Sequence, residues 1–169
     1  MDRKENTAAF TRVMEQHKGL LFKIAHSYAK VPDDRKDLIQ EITIQLWKNF
    51  DKYNQAYRYS TWIYKIALNT SISFYRKENR RTGILNPISE SLFDFSEEQV
   101  DSEKDQQVSM LYRFISELKD LDKALILLYL EEKSQKEMAE ILGISETNVS
   151  TKISRIKEKL KQKFSTLNN

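Results

Sequence analysis

The sequence predicts an all-α protein of two small helical domains joined by a flexible, acidic linker. Apolar residues recur at three- and four-residue steps over long stretches, which is typical of amphipathic helices. Only three glycines and two prolines interrupt the 169 residues, so long helices with few turns are expected. The apolar repeat fails over 83–106, which we predict to be the linker between a first domain (1–82) and a second domain (107–169).

Five helices are expected before the last motif of the chain. In the first domain, Pro32 should end one helix, and Asp33 or Asp34 should cap the next. The five helices should span about 8–29, 35–49, 61–79, 108–118 and 121–130.

The helix expected over 61–79 carries polar and basic residues on one stripe, at about 100° per residue. They are Lys65, Asn69, Ser73, Arg76 and Arg80. Apolar residues, Trp62 and Ile66 among them, fall largely on the other side. Two interpretations of the stripe remain open from the helix alone: a solvated surface, or a surface that faces nucleic acid.

The loop before this helix brings Tyr57, Arg58 and Tyr59 together, without an evident reason to bury all three. Aromatic rings and an arginine beside a basic stripe are typical of a surface that stacks unpaired bases. An asparagine such as Asn69 can read a base edge, because its amide both donates and accepts hydrogen bonds. For Trp62, an anchor in the core is favoured over a direct base contact.

The most specific motif lies in the second domain. Ser134 and Glu137 form the S-x-x-E capping box, which opens a helix. Gly143 permits the left-handed backbone at which that helix stops, and Ser145 caps the next one. This spacing predicts a helix-turn-helix.

The outer face of the second helix of this motif carries short hydrogen-bonding groups first and long cations later. They are Asn148, Thr151, Lys152 and Arg155. In a recognition helix the first residues meet base edges and the flanking cations meet phosphates. The alternative is an ordinary helical hairpin with a solvated basic end.

Charge is segregated along the chain, although the net charge is only +3. Seven acids face one base between Glu90 and Asp105, and six bases face one acid between Lys152 and Lys163. Such segregation is typical of a basic working surface and an acidic connector.

The composition excludes several functional classes. The chain has no cysteine, which rules out disulfides, cysteine-ligated zinc and thiol nucleophiles. His17 and His26 are nine residues apart, on opposite sides of one helix, and no phosphate loop or nucleophile motif occurs. There is no signal-type segment and no apolar run of about 18 residues. We expect a cytoplasmic protein that is not an enzyme, has no membrane span and needs no cofactor or metal.

The order of these motifs is similar to that of small sigma factors of the extracytoplasmic-function (ECF) type, in the sigma-70 family. DLIQEITIQLW resembles the region 2 helix that, in the family, grips the β′ clamp helices of core RNA polymerase. YSTWIYKIALNTSISFYRKENRR resembles the part of region 2 that melts and reads the −10 element. LILLYLEEKSQKEMAEILGISETNVSTKISRIKEKLK resembles region 4, which reads the −35 element and contacts the β flap.

The resemblance implies a role for each matching residue. The polymerase-binding residues would be Asp37, Gln40, Glu41 and Trp47. The −10 DNA-binding residues would be Asn54, Tyr57, Arg58, Tyr59, Lys65, Asn69, Ser73, Arg76 and Arg80. The −35 DNA-binding residues would be Asn148, Ser150, Thr151, Lys152 and Arg155. Position 150 is often basic in the family, so Ser150 removes one phosphate or base contact.

The resemblance implies a transcription initiation factor whose partners are core RNA polymerase, promoter DNA and an anti-sigma factor. The version SETNVSTKISRIKEKL resembles members from the Bacteroidetes group. The alternative is a stand-alone helix-turn-helix transcriptional regulator. It explains the second half of the chain but not the stretch 58–81 or the acidic helix at 37–47.

Overall fold

A computed structural model of the protein describes residues 2–82 and 103–168, and of 77–82 and 103–104 only the backbone. The described residues form eight α-helices and a short 3-10 helix, with no strand among them. The chain divides into two compact units, over 1–78 and 79–169. The predicted all-α class with two small helical domains is therefore confirmed. Most of the predicted linker lies outside the described residues.

The first part of the chain packs its helices around one apolar core. The helices are α1 (Arg3–Gln16), α2 (Lys18–Tyr28), α3 (Pro32–Asn49), the 3-10 helix (Phe50–Lys52) and α4 (Tyr59–Thr82). Helix α2 packs on α1 and on α3. Leu38, Ile42 and Leu46 recur every four residues along α3 and are fully buried. This spacing places all three on one face of the helix, as the apolar repeat predicts.

His17 separates α1 from α2, so the single helix predicted over 8–29 is wrong. Its backbone, at φ −113° and ψ 15°, leaves the helical region. Its amide donates to the carbonyls of Val13 and Met14, and its Nδ1 lies 2.9 Å from the Val13 oxygen. These contacts pair the last carbonyls of α1, so the helix ends at His17 without a proline or glycine at that position. The break therefore leaves the apolar repeat unchanged.

Pro32 opens α3 instead of ending the preceding helix, so that prediction is wrong as well. Helix α2 already stops at Tyr28, and Pro32 takes a first-turn position, where its missing N–H is not needed. The N-cap is Val31, which makes no side-chain cap. Asp33 and Asp34 lie in the first turn, where carboxylates interact favourably with the positive end of the helix dipole.

Arg35 fixes the connection between α2 and α3. Its Nε donates to the carbonyl oxygen of Ala29 at 2.9 Å, and its Nη2 donates to that of Lys30 at 3.3 Å. Partial burial lowers the pKa of the Arg35 guanidinium from its ordinary value, an effect that Tyr75 partly opposes. Because a guanidinium remains charged at physiological pH, these are charge-assisted hydrogen bonds to carbonyls beyond the end of α2.

Helix α4 begins at Tyr59 instead of Thr61 and ends at Thr82 instead of Asn79. Trp62 and Ile66, expected on its core side, are only partly buried. The buried residues of α4 are Ile63, Tyr64, Ala67, Leu68 and Ser71.

Residues 103–168, in the second unit, form four helices. They are α5 (Glu103–Ser116), α6 (Asp120–Leu130), α7 (Gln135–Leu142) and α8 (Glu146–Leu167). Helix α8 packs on α5, α6 and α7 through Val149, Ile153, Ile156 and Leu160. The predicted helix over 108–118 differs from α5 at both of its end residues. Val108 lies within α5 but is 46% exposed. Leu118 lies beyond the end of the helix.

The predicted helix-turn-helix is confirmed in its details. Ser134 Oγ accepts from the Glu137 amide at 3.1 Å, and Glu137 Oε2 accepts from the Ser134 amide at 3.1 Å. Gly143 ends α7 in the left-handed conformation, at φ 69°. Ser145 Oγ accepts from the Asn148 amide at 3.1 Å and so caps α8.

Replacing Gly143 by alanine should destabilise the second unit by about 1–2 kcal/mol, because a left-handed backbone is strained for residues with a Cβ. The space around that Cβ is open, so backbone strain alone should account for the loss. Gly143→Asn should lose less, since asparagine tolerates this conformation better. Both tryptophans lie in the first unit, so circular dichroism should detect a shifted transition that tryptophan fluorescence does not. Equal losses for both variants would contradict this explanation.

Candidate nucleic-acid interface

The loop between the 3-10 helix and α4 is held in a defined turn. Asn54 accepts twice: its Oδ1 from the Ala56 amide at 2.9 Å, and its carbonyl from the Tyr57 amide at 3.1 Å. The hydroxyl of Tyr53 donates to the carbonyl of Tyr57. Asn54 therefore shapes the loop with its side chain, whereas Tyr57 is 49% exposed as a residue and Arg58 is also exposed.

An aromatic cluster anchors both ends of this loop. The ring of Tyr53 stacks on that of Tyr59, with centroids 4.2 Å apart and an interplanar angle of 15°. Trp62 meets Tyr53 edge-on at 5.4 Å and lies 6.1 Å from Phe50. Trp62 thus makes internal contacts, as expected of an anchor. Tyr59, predicted together with Tyr57 and Arg58, differs from them in being part of this cluster.

The polar stripe of α4 is exposed wherever its side chains are described. Lys65, Asn69, Ser73 and Arg76 are all exposed. Asn69 Nδ2 donates to the Lys65 carbonyl at 2.7 Å. The side chain of Arg80 lies outside the described residues.

Helix α3 presents a second exposed row, opposite its buried face. Asp37 and Gln40 are exposed, and Glu41 is half-buried and accepts from Gln45 Nε2 at 3.0 Å. Trp47 is 38% exposed and packs edge-on against Phe10 at 5.1 Å. Trp47 therefore has one edge on α1 and another toward the surface.

Ile44 belongs to the same row and was missed by the sequence analysis. It lies three residues from Glu41 and three from Trp47, and it is 40% exposed. Helical spacing from the predicted residues would have found it. With Ile44, the row combines carboxylate, amide and apolar groups.

In the helix-turn-helix, α8 divides the predicted residues between its sides. Asn148, Thr151 and Arg155 are exposed on the side away from the buried residues of α8. Lys152 lies nearer the core, and its Nζ is 3.9 Å from Asp122 Oδ1 of α6. The Lys152 ammonium is therefore directed toward the Asp122 carboxylate.

Ser150 lies on the opposite flank of α8, in a shallow groove of about 810 Å³. The groove also receives Tyr129 and Lys157, which the sequence analysis did not single out. Lys157 Nζ lies 5.0 Å from the centre of the Tyr129 ring and 3.3 Å from its hydroxyl. Lys133 and Lys161 line the same groove, so its charge is mainly positive despite Glu158.

Together, a capped helix-turn-helix and a separate helical unit with an exposed aromatic loop define a two-part, all-helical class of DNA-binding protein. Comparison with family models gives "Sigma-70 region 2" over residues 13–81 and "Sigma-70, region 4" over residues 109–160. The chain belongs to the sigma-70 family and to its ECF type, as the sequence motifs predicted. Sigma factors direct RNA polymerase to promoters and are generally not enzymes. The alternative of a stand-alone regulator is not favoured, because the match includes region 2.

Individual relatives agree with this assignment. The chain is 28% identical over 158 residues to the RNA polymerase sigma factor SigV of Bacillus subtilis, covering 92% of this chain and 91% of SigV. It is 27% identical over 175 residues to the ECF sigma factor SigW of the same organism, covering 98% and 94%. The sigma factor RpoE of Bartonella quintana, solved with the anti-sigma factor NepR, has a similar fold. Its TM-score is 0.68 at 18% identity, over 91% of this chain and 95% of RpoE.

Membrane-spanning length and apolarity are not combined in any helix of residues 2–82 and 103–168. No group of three or more potential metal-ligating His, Cys, Asp or Glu side chains occurs in the same part of the chain.

Proposed function

We propose that the exposed row of α3 binds core RNA polymerase, that α8 reads −35 duplex DNA, and that the loop 53–58 with the exposed side of α4 captures unpaired −10 bases. The observation that carries this division is the loop, whose turn presents an exposed tyrosine beside a polar and basic row. A surface of this kind suits single-stranded DNA, whereas the outer face of α8 suits a major groove.

The loop supports base capture on energetic grounds. Unstacking a base costs a few kcal/mol, which a fitted site for the extruded base can offset. Stacking on an aromatic ring contributes about 1–3 kcal/mol per base, and the exposed ring of Tyr57 is placed to provide it. Lys65 and Arg76 extend the surface along α4 with positive charge that can neutralise phosphates.

The partners follow from the same division. Polymerase would receive the α3 row at its β′ clamp helices and the second unit at its β flap. An anti-sigma factor would cover one of these surfaces, because the similar RpoE was solved with such a factor. The protein would act in the cytoplasm, where RNA polymerase transcribes.

Transcription in vitro tests the proposal. The protein and core RNA polymerase are mixed with a library of promoters randomised in the −35 and −10 elements, and the transcripts are sequenced. We expect initiation from a defined subset of promoters. Dimeric binding to a palindrome, with no polymerase-dependent transcript, would instead identify a stand-alone regulator.

Within α8, Arg155→Ala should weaken binding of the holoenzyme to duplex −35 DNA by roughly 10–100-fold, because a hydrogen bond from an arginine to a charged phosphate contributes about 1.5–3 kcal/mol. Lys152→Ala should weaken it less, since Asp122 already engages this ammonium. Fluorescence anisotropy with a duplex −35 probe from a selected promoter measures both effects. Equal losses for the two variants would show that Lys152 leaves Asp122 to contact DNA.

A further inference from the structure

Tyr53 is absent from the predicted DNA-binding residues, yet it makes three contacts around the loop. Its ring stacks on Tyr59 at 4.2 Å and meets Trp62 edge-on at 5.4 Å. Its hydroxyl donates across the loop to the carbonyl of Tyr57. The aromatic contacts fix the Tyr53 ring, and the fixed ring then aims the hydroxyl.

These contacts close the turn from both ends. Asn54 accepts hydrogen bonds from the amides of Ala56 and Tyr57, while the Tyr53 hydroxyl donates one to the carbonyl of Tyr57. Both polar groups of the Tyr57 backbone are thereby bonded within the loop. The residue as a whole nevertheless remains 49% exposed. The backbone is fixed and the ring is presented.

The Tyr53 hydroxyl is chemically suited to donate this hydrogen bond. Partial burial raises the pKa of its hydroxyl above the ordinary value, and the neighbouring Tyr59 hydroxyl adds to this effect. A tyrosine hydroxyl is protonated at physiological pH in any case, so this one is available as a donor. Phenylalanine at this position could make the same ring contacts but could not hold the carbonyl.

We propose that Tyr53 is a positioning residue for base capture: its hydroxyl holds the Tyr57 backbone so that the Tyr57 ring meets an unpaired base of the opened promoter strand. This inference rests on the proposed function. A loop ordered before binding loses less conformational entropy when it captures the base, so the gain should appear as affinity for opened DNA. Core polymerase binding, which uses α3, should not depend on it.

The test compares wild-type holoenzyme with holoenzyme carrying full-length Tyr53→Phe. The probe is a forked DNA with an unpaired −10 segment, taken from the promoter that the wild type transcribes best from the randomised library. We expect the variant to bind this probe about 3–10-fold more weakly, as for the loss of one ordering hydrogen bond. Its affinity for core polymerase should match the wild type, and its free energy of unfolding by tryptophan fluorescence should fall by no more than about 1.5 kcal/mol, the usual contribution of one hydrogen bond. Tyr112→Phe, on α5, is the matched control and should bind the probe normally.

A double variant tests whether the effect passes through the Tyr57 ring. In a Tyr57→Ala background, Tyr53→Phe should have little further effect, because no ring remains to be positioned. Unchanged probe binding by Tyr53→Phe overturns the inference, as does an equal loss of polymerase affinity or a loss of stability well above about 1.5 kcal/mol, which is more than one hydrogen bond contributes. A full effect that persists without the Tyr57 ring also overturns it. If wild-type holoenzyme transcribes no promoter, the proposed function itself fails.

Discussion

Replacing Ile44 by aspartate is expected to weaken binding to core RNA polymerase by about 30-fold or more while the first unit remains folded. Ile44 is 40% exposed and lies within the α3 row, between Glu41 and Trp47. The few residues that dominate an interface cluster near its centre and cost about 2 kcal/mol or more when truncated, which corresponds to this factor. Aspartate would also place a charge where the partner covers an apolar side chain, without a compensating group.

Affinity for core polymerase can be measured by biolayer interferometry with labelled protein. Ala8→Asp, at an exposed position of α1, introduces the same charge into the same unit and should bind normally. Unfolding followed by tryptophan fluorescence should give both variants the wild-type free energy of unfolding within about 0.5 kcal/mol, as expected for exposed positions. Wild-type affinity of the Ile44→Asp variant would mean that the α3 row does not face polymerase.

Leu46→Ala is expected to lower the free energy of unfolding of the first unit by about 2–5 kcal/mol. Leu46 is fully buried on the opposite side of α3 from Ile44. Truncating a buried leucine removes apolar contacts and leaves a cavity that the surroundings fill only partly. For a domain whose total stability is about 5–15 kcal/mol, this is a large fraction.

Urea unfolding followed by tryptophan fluorescence isolates this effect, because Trp47 and Trp62 both lie in the first unit. Ile44→Ala is the matched control: it is also an aliphatic truncation on α3, but at an exposed position, and should change stability by less than about 0.5 kcal/mol. A comparable loss in both variants would show that α3 does not bury the face described here.

Elements with a physical signal in their own residues were predicted well. The end of α3 at Asn49, the capping box of Ser134 and the left-handed Gly143 follow from local periodicity and backbone chemistry. The break at His17 was missed because its hydrogen bonds reach back within α1 and leave the apolar repeat intact. Pro32 was misplaced because proline fits a helix start as well as it ends a helix.

The candidate site shows the same division. Exposure of Lys65, Asn69 and Arg76 follows from the helical wheel. The engagement of Lys152 by Asp122 depends on packing between α8 and α6, which no local pattern encodes. The contact from Tyr53 to Tyr57 likewise requires the folded loop, so the sequence shows only another tyrosine.

The hydrogen bond from Asn69 to the Lys65 carbonyl has a consequence for fidelity. One donor of the amide is already engaged before DNA arrives, so a base that uses this donor exchanges one partner for another. A base with the matching edge restores what is given up, and the net gain in affinity is small. A base without that edge cannot replace the hydrogen bond that Asn69 gives up, so binding of that base is weakened. In the proposed −10 surface, Asn69 would therefore act mainly by rejecting wrong promoters, and would add little affinity for right ones.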